Sequence, residues 1–196
     1  MGNNLRYSPL NWLVKTKKFV MKLSGSEDAD FMVSNMKAGY GITSGVGTIC
    51  EHSVTKVGDI YKTEILIDLT GLNGCSAAGD IIGKDGSTID CHIGQINASV
   101  NGTIIAGWIE CHESPAGGNA DINLYSAVES TGVQDAAITT LVETELCNCG
   151  AHSTGSSDVL TAWPADEEYL YLTTGANTDA DFSAGRLLIT LWGYDA

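Results

Sequence analysis

The chain has 196 residues and a mass of 20.6 kDa; 43% of it is hydrophobic and 17% charged, and its formal net charge is −14. That length suits one sizeable core, which buries about 70% of the unfolded surface, and the composition excludes a disordered chain. No stretch reaches the roughly 18 uninterrupted apolar residues of a membrane helix. Nor does the basic N-terminal stretch lead into the apolar run of a secretory signal. The expectation is a protein made in a cytoplasm, with no membrane partner.

Charge is unevenly laid out. Residues 1–26 hold Arg6, Lys15, Lys17, Lys18 and Lys22 and no acid, whereas from Asp85 onward Arg186 is the only base against 16 acids. A body so acidic does not release counterions from a phosphate backbone, so nucleic acid is not expected on the folded part. The leader mixes these bases with Trp12, Leu13 and Val14 and with turn formers, which suits an extended arm over 1–26 that orders by docking on something else.

In chain order, the first predicted element is a short helix near Asp28 to Lys37. Strands follow at Ile60 to Leu69, Thr88 to Ile96, Thr103 to Cys111, Ile122 to Val128, Glu168 to Thr173 and Arg186 to Trp192, each bounded by glycine-bearing turns. In the first, Tyr61, Ile65, Ile67 and Leu69 share one face, with Lys62, Glu64 and Asp68 on the other; Ile122 and Leu124 point inward in the fourth. Asn101-Gly102 predicts a two-residue hairpin joining 94–100 to 103–111. Over Ala136 to Glu145 a helix capped by Asp135 competes with a strand at Ile138 to Leu146. The pattern predicts an all-β fold: a β-sandwich, jelly-roll-like, with short helices, forming one domain over 27–196 behind the arm.

All four histidines sit close to the six cysteines. Thiolate and imidazole are zinc ligands, but neighbours on a strand face opposite ways, so Cys91 with His92 and Cys111 with His112 do not share an ion. Cys50 with His52, and Cys147 with Cys149 and His152, keep suitable spacing. None repeats the paired-cysteine spacing of a zinc finger, so the leading expectation is cysteines used as small apolar core residues, with disulfides second and no metal. Asn177, Asp179 and Asp181 imitate half a calcium loop, yet Phe182 stands where the loop needs glycine; a solvated turn is expected. The glycines from Gly74 to Gly83 miss the phosphate-loop pattern, and no nucleophile elbow or zinc-protease helix occurs. No catalytic residue and no cofactor is predicted, so the chain is not expected to be an enzyme. Trp108, Trp163 and Tyr171 read either as core or interface residues or as a sugar-binding platform.

The run Tyr61-Lys62-Thr63 through Ile67-Asp68-Leu69-Thr70-Gly71-Leu72, then Gly79-Asp80-Ile81-Ile82-Gly83, Glu113-Ser114-Pro115-Ala116-Gly117-Gly118, Asp121 to Tyr125, Tyr169 to Thr173, Ala184 to Ile189 and Gly193-Tyr194-Asp195 resembles virion proteins of marine tailed phages. The resemblance spans about residues 61–196. It implies a structural protein of the particle, on the capsid exterior, that decorates or cements the head by bridging copies of the major capsid protein. Such a protein works by binding, as a homo-oligomer with a trimer favoured, and Arg6, Trp12, Lys15, Lys17, Lys18 and Lys22 would anchor its arm to the capsid. The alternative is a tail- or vertex-associated adhesin that binds carbohydrate.

Overall fold

The structure, a computed structural model, describes the backbone of residues 29–32 and all of residues 36–195. Ten strands form two antiparallel sheets: β1 (Ala29–Met32), β2 (Ile49–Val57), β3 (Ile60–Asp68), β4 (Gly94–Gln95), β5 (Thr103–Ala116), β6 (Ile122–Ala127), β7 (Glu143–Cys147), β8 (Ser157–Val159), β9 (Tyr169–Thr174) and β10 (Ala184–Tyr194). Two four-residue helices, α1 (Tyr40–Thr43) and α2 (Ala98–Asn101), and a 3-10 turn at Ile138–Thr140 complete the elements. One sheet runs β1-β2-β3-β10-β5-β8, the other β4-β9-β6-β7. Lettering β3 to β10 as B to I turns these orders into B-I-D-G and C-H-E-F, with β1 and β2 added outside B. Between β3 and β10, every connection crosses from one sheet to the other except β6 to β7. This is a jelly roll, two sheets closed over one core.

The core follows from strand alternation. Ile65 and Ile67 of β3, Ile109 of β5 and Leu187, Ile189 and Leu191 of β10 meet Ile122 and Leu124 of β6 and Leu170 and Leu172 of β9, all fully buried. The predicted division of β3 holds: Tyr61, Ile65 and Ile67 face in, while Lys62 and Glu64 face out.

Four local expectations are corrected. Residues 29–32 pair as a strand along β2 instead of forming a helix, and the nearest helix is α1. Asn101-Gly102 is not a hairpin turn, because Asn97 accepts the Ser99 amide at 3.0 Å and caps α2, which ends at Gly102 with φ +67°; β4 and β5 then belong to different sheets. Most of 88–96 is irregular, pairing only at Gly94–Gln95. In 136–146 the strand reading prevails as β7, preceded by the 3-10 turn, and Asp135 caps nothing: it stands at φ +61° and accepts the Ser76 amide at 2.7 Å.

The two sheets are covered unequally. On the outer side of β9, Tyr171 is 0% exposed, its hydroxyl donating to the Glu129 carbonyl at 2.8 Å and accepting the Gly132 amide at 3.3 Å. A β-carbon on Gly132 would come within 2.7 Å of both the Tyr171 ring and Ile81, so only glycine lets this loop lie so close. The segments holding Ile81 and Leu141 also pack here. The four-stranded sheet is thus buried on both faces at β9, whereas no chain crosses the outer face of the six-stranded sheet among the described residues.

Truncating Ile189→Ala, in the strand that touches both β3 and β5, removes packed apolar atoms that cannot be replaced by collapse. Chemical denaturation should report a loss of about 2–5 kcal/mol.

Candidate functional site

The bare outer face of the six-stranded sheet carries the most distinctive surface. Cross-strand register places Ser53, Glu64, Thr190, Trp108 and Val159 in one row, and Glu51, Leu66, Leu188, Glu110 and Ser157 in the next. Adjoining rows bring Lys62 beside Trp192, and Ile60 beside Val57 and Tyr194. The Trp108 and Trp192 rings lie 6.4 Å apart at 37°, and the Lys62 ammonium stands 6.0 Å from the Trp192 ring centre. Val159 is 70% exposed, Val57 52% and Tyr194 45%. Scattered exposed apolar residues are normal, but aromatic and aliphatic side chains grouped on one face and rimmed by charges make this face the candidate for binding.

Within this face lies a groove of about 250 Å³. Leu66 and Leu188 form its apolar lining, with Glu51, Ser53 and Glu64 around them. Glu64 holds Lys62 at 2.6 Å, while Glu51 is exposed and, among the described residues, has no cation within bonding distance. At the far end Asp68 accepts Arg186 at 2.8 Å and both the amide and hydroxyl of Thr70. Burial alone would raise the Asp68 carboxyl, but these donors together hold it below the usual range. Overall the face holds Glu51, Glu64, Asp68, Glu110 and Glu113 against Lys62 and Arg186.

The Cys/His groups do other work. Cys50 and His52 point into the core side of β2, where the His52 Nε2–H donates to the Ile93 carbonyl at 2.6 Å and so ties β2 to the approach of β4. That donation occupies the nitrogen a metal would need. Burial pushes the Cys50 thiol up to about 12, and likewise Cys75 to about 12 and Cys91 to about 11, so these sulfurs stay protonated. Cys147 and Cys149 form a disulfide, and the His152 Nε2–H donates to the Ile122 carbonyl, 2.9 Å away. Among the described residues no group of three His, Cys, Asp or Glu side chains converges as a metal site. Cys75, Cys91 and Cys111 are buried free thiols, as the apolar reading of the cysteines expects. Asp181 accepts from Asn73 at 3.1 Å.

The aromatic expectations divide. Trp108 does lie on the open face, Trp163 is exposed away from any paired strand, and Tyr171 is buried and therefore no part of a platform. Sequence reasoning did not single out Trp192, Leu188, Leu66 or Glu51. Arg6, Trp12, Lys15, Lys17, Lys18 and Lys22 lie outside the described residues. A second concavity of about 330 Å³, lined by Lys37, His92, Gln95, Ser99 and Tyr169 among others, sits beside α2; burial lowers the His92 pKa, and its Nδ1 has no partner.

No protein family, no curated protein and no solved structure matched the chain.

One buried acid offers a clean pH test. Asp80 is almost wholly buried and accepts the Ala77 amide at 3.0 Å, and burial, with the Asp135 carboxylate nearby, raises its pKa. A raised carboxyl binds its proton more tightly folded than unfolded, so its contribution is full below the ordinary carboxylate range and is lost as pH rises through the folded value. Asp80→Asn keeps the acceptor without the charge. Denaturation at pH 7 should therefore find the variant more stable than the parent, with the gain vanishing as pH falls below about 4.

Proposed function

We propose that this chain is a structural protein of a phage particle that decorates the capsid exterior and cements it by binding neighbouring capsid subunits. The observation that supports this most is the B-I-D-G and C-H-E-F strand order, because jelly rolls are a frequent architecture of viral capsid domains. A fold does not by itself give a function, and jelly rolls also build lectins. The rest of the case is chemical. Buried cysteines such as Cys50 hold their protons and His52 is bound to a carbonyl, while one broad sheet face presents paired tryptophans, aliphatics and carboxylates. A flat face of this kind gives area and register, which binding needs and catalysis does not.

In this reading the major capsid protein is the partner, and the protein acts as a homo-oligomer with a trimer favoured. Copies at lattice symmetry points multiply weak contacts into firm attachment. The arm, with Arg6, Trp12, Lys15, Lys17, Lys18 and Lys22, supplies further contacts beyond the sandwich. The protein is made in the host cytoplasm and resides on the virion.

The second reading is a tail- or vertex-associated carbohydrate-binding adhesin. The tilted Trp108 and Trp192 pair, with Glu110 accepting the Trp108 indole N–H at 3.1 Å, favours it, since aromatic faces beside carboxylates also suit sugar rings.

Deleting residues 1–26 separates attachment from folding. The truncated protein should keep the parent's unfolding midpoint and fail to cosediment with particles stripped of it. Undiminished attachment would remove the arm from the mechanism. Quantitative mass spectrometry of purified particles separates the two readings: copies should number on the order of hundreds, as lattice-wide multivalent binding requires, and a few dozen would favour the adhesin.

A further inference from the structure

We propose that the groove floored by Leu66 and Leu188 binds the Lys15–Lys22 stretch of a second copy of this chain, so that arms link neighbouring copies. The inference deepens the reading of the open sheet face as a docking surface and does not depend on where the protein sits on a particle.

Charge supplies the first argument. Glu51 and Glu64 flank an apolar floor, and among the described residues Glu51 has no cation within bonding distance. A face richer in acids than bases repels a copy of itself, so face-to-face pairing is disfavoured and a basic occupant is favoured. Outside the described residues the chain carries such an occupant: Lys15-Thr16-Lys17-Lys18-Phe19-Val20-Met21-Lys22 joins four cations to the apolar run Phe19-Val20-Met21 and has no acid. A lysine stem can lie on Leu66 and Leu188 while its ammonium reaches a carboxylate.

Strand direction supplies the second. The chain enters β1 at Ala29, opposite Val57, and β1 runs antiparallel to β2. Glu51 lies toward the other end of β2, about 20 Å from Val57 at roughly 3.3 Å per residue. Upstream of Ala29 the direction of β1 points off the Val57 end, away from the molecule's own groove. Filling that groove from within requires the chain to reverse. A groove on an adjoining copy imposes no reversal. Exchanging arms in this way is heterologous, and the contacts close into a ring when the rotation between copies permits, as in a trimer. Arg6 and Trp12, further along the arm, remain available to the capsid.

The experiment uses the full-length protein in solution, without particles. Equal amounts of unlabelled and ¹⁵N-labelled protein are mixed and treated with a carbodiimide, which joins a lysine to a carboxylate in direct contact, and crosslinked peptides are identified by mass. Mixed light–heavy pairs should join Lys15, Lys17, Lys18 or Lys22 to Glu51 or Glu64. In sedimentation velocity, Lys18→Glu and Glu51→Lys should each weaken self-association, and mixing the two variants should restore it, because the reversed charges then meet across copies. Each variant reverses a single charge, and an unchanged unfolding midpoint confirms that the sandwich is intact. Absence of mixed pairs, pairs only within one copy, pairs to other acids only, or no rescue on mixing would each overturn the proposal. Such a failure leaves the virion reading standing, because copy number on particles tests that separately.

Discussion

Burying Tyr171 on the outer side of β9 commits the loops around Ile81, Gly132 and Leu141 to one side of the molecule. Because the tyrosine hydroxyl is satisfied by two backbone groups of those loops, its burial adds apolar area without leaving a polar atom unpaired. The loops that could have shielded either sheet are thereby used on the smaller one. The larger sheet keeps an uncovered face, and its length and register set what that face displays.

That division places the chemically suggestive residues of β2 inside the sandwich. His52 and Cys50 lie on the inward side of β2, so the same alternation that sends Glu51 to the groove sends them to the core. There the imidazole spends its N–H on a carbonyl and the thiol, out of water, holds its proton. In the proposed reading binding falls to the outward set, where Trp108, Trp192, Leu66 and Leu188 supply area and the carboxylates supply selectivity.

The sandwich was legible in the sequence because β3, β5, β6, β9 and β10 carry runs of branched apolar residues bounded by glycine turns. The alternation of Tyr61 to Ile67 even assigned the buried side. β2 escaped notice because Cys50-Glu51-His52-Ser53 reads as polar and as metal-binding, although Gly58-Asp59 between two strand-like runs is a two-residue hairpin signal. The two-residue reading of Asn101-Gly102 failed because Asn97 caps a helical turn just before it, a local bond that outcompetes the hairpin. The docking face was hidden for a different reason. Leu188 sits in an unbroken apolar run, Leu187-Leu188-Ile189, where period-two reasoning cannot tell the buried member from the exposed one until cross-strand partners are known, and only that register sets Leu66 beside it.

In the proposed reading the basic arm and the acidic, aromatic face of one chain join it first to its own copies and then to a larger surface. Averaged imaging of purified source particles tests that account most directly, by locating the chain and counting its contacts. The account predicts density for the sandwich repeated over the head lattice, with the outer face of the six-stranded sheet covered by chain from a neighbour. Density confined to the tail or vertices, or absence of the chain from particles, would contradict it.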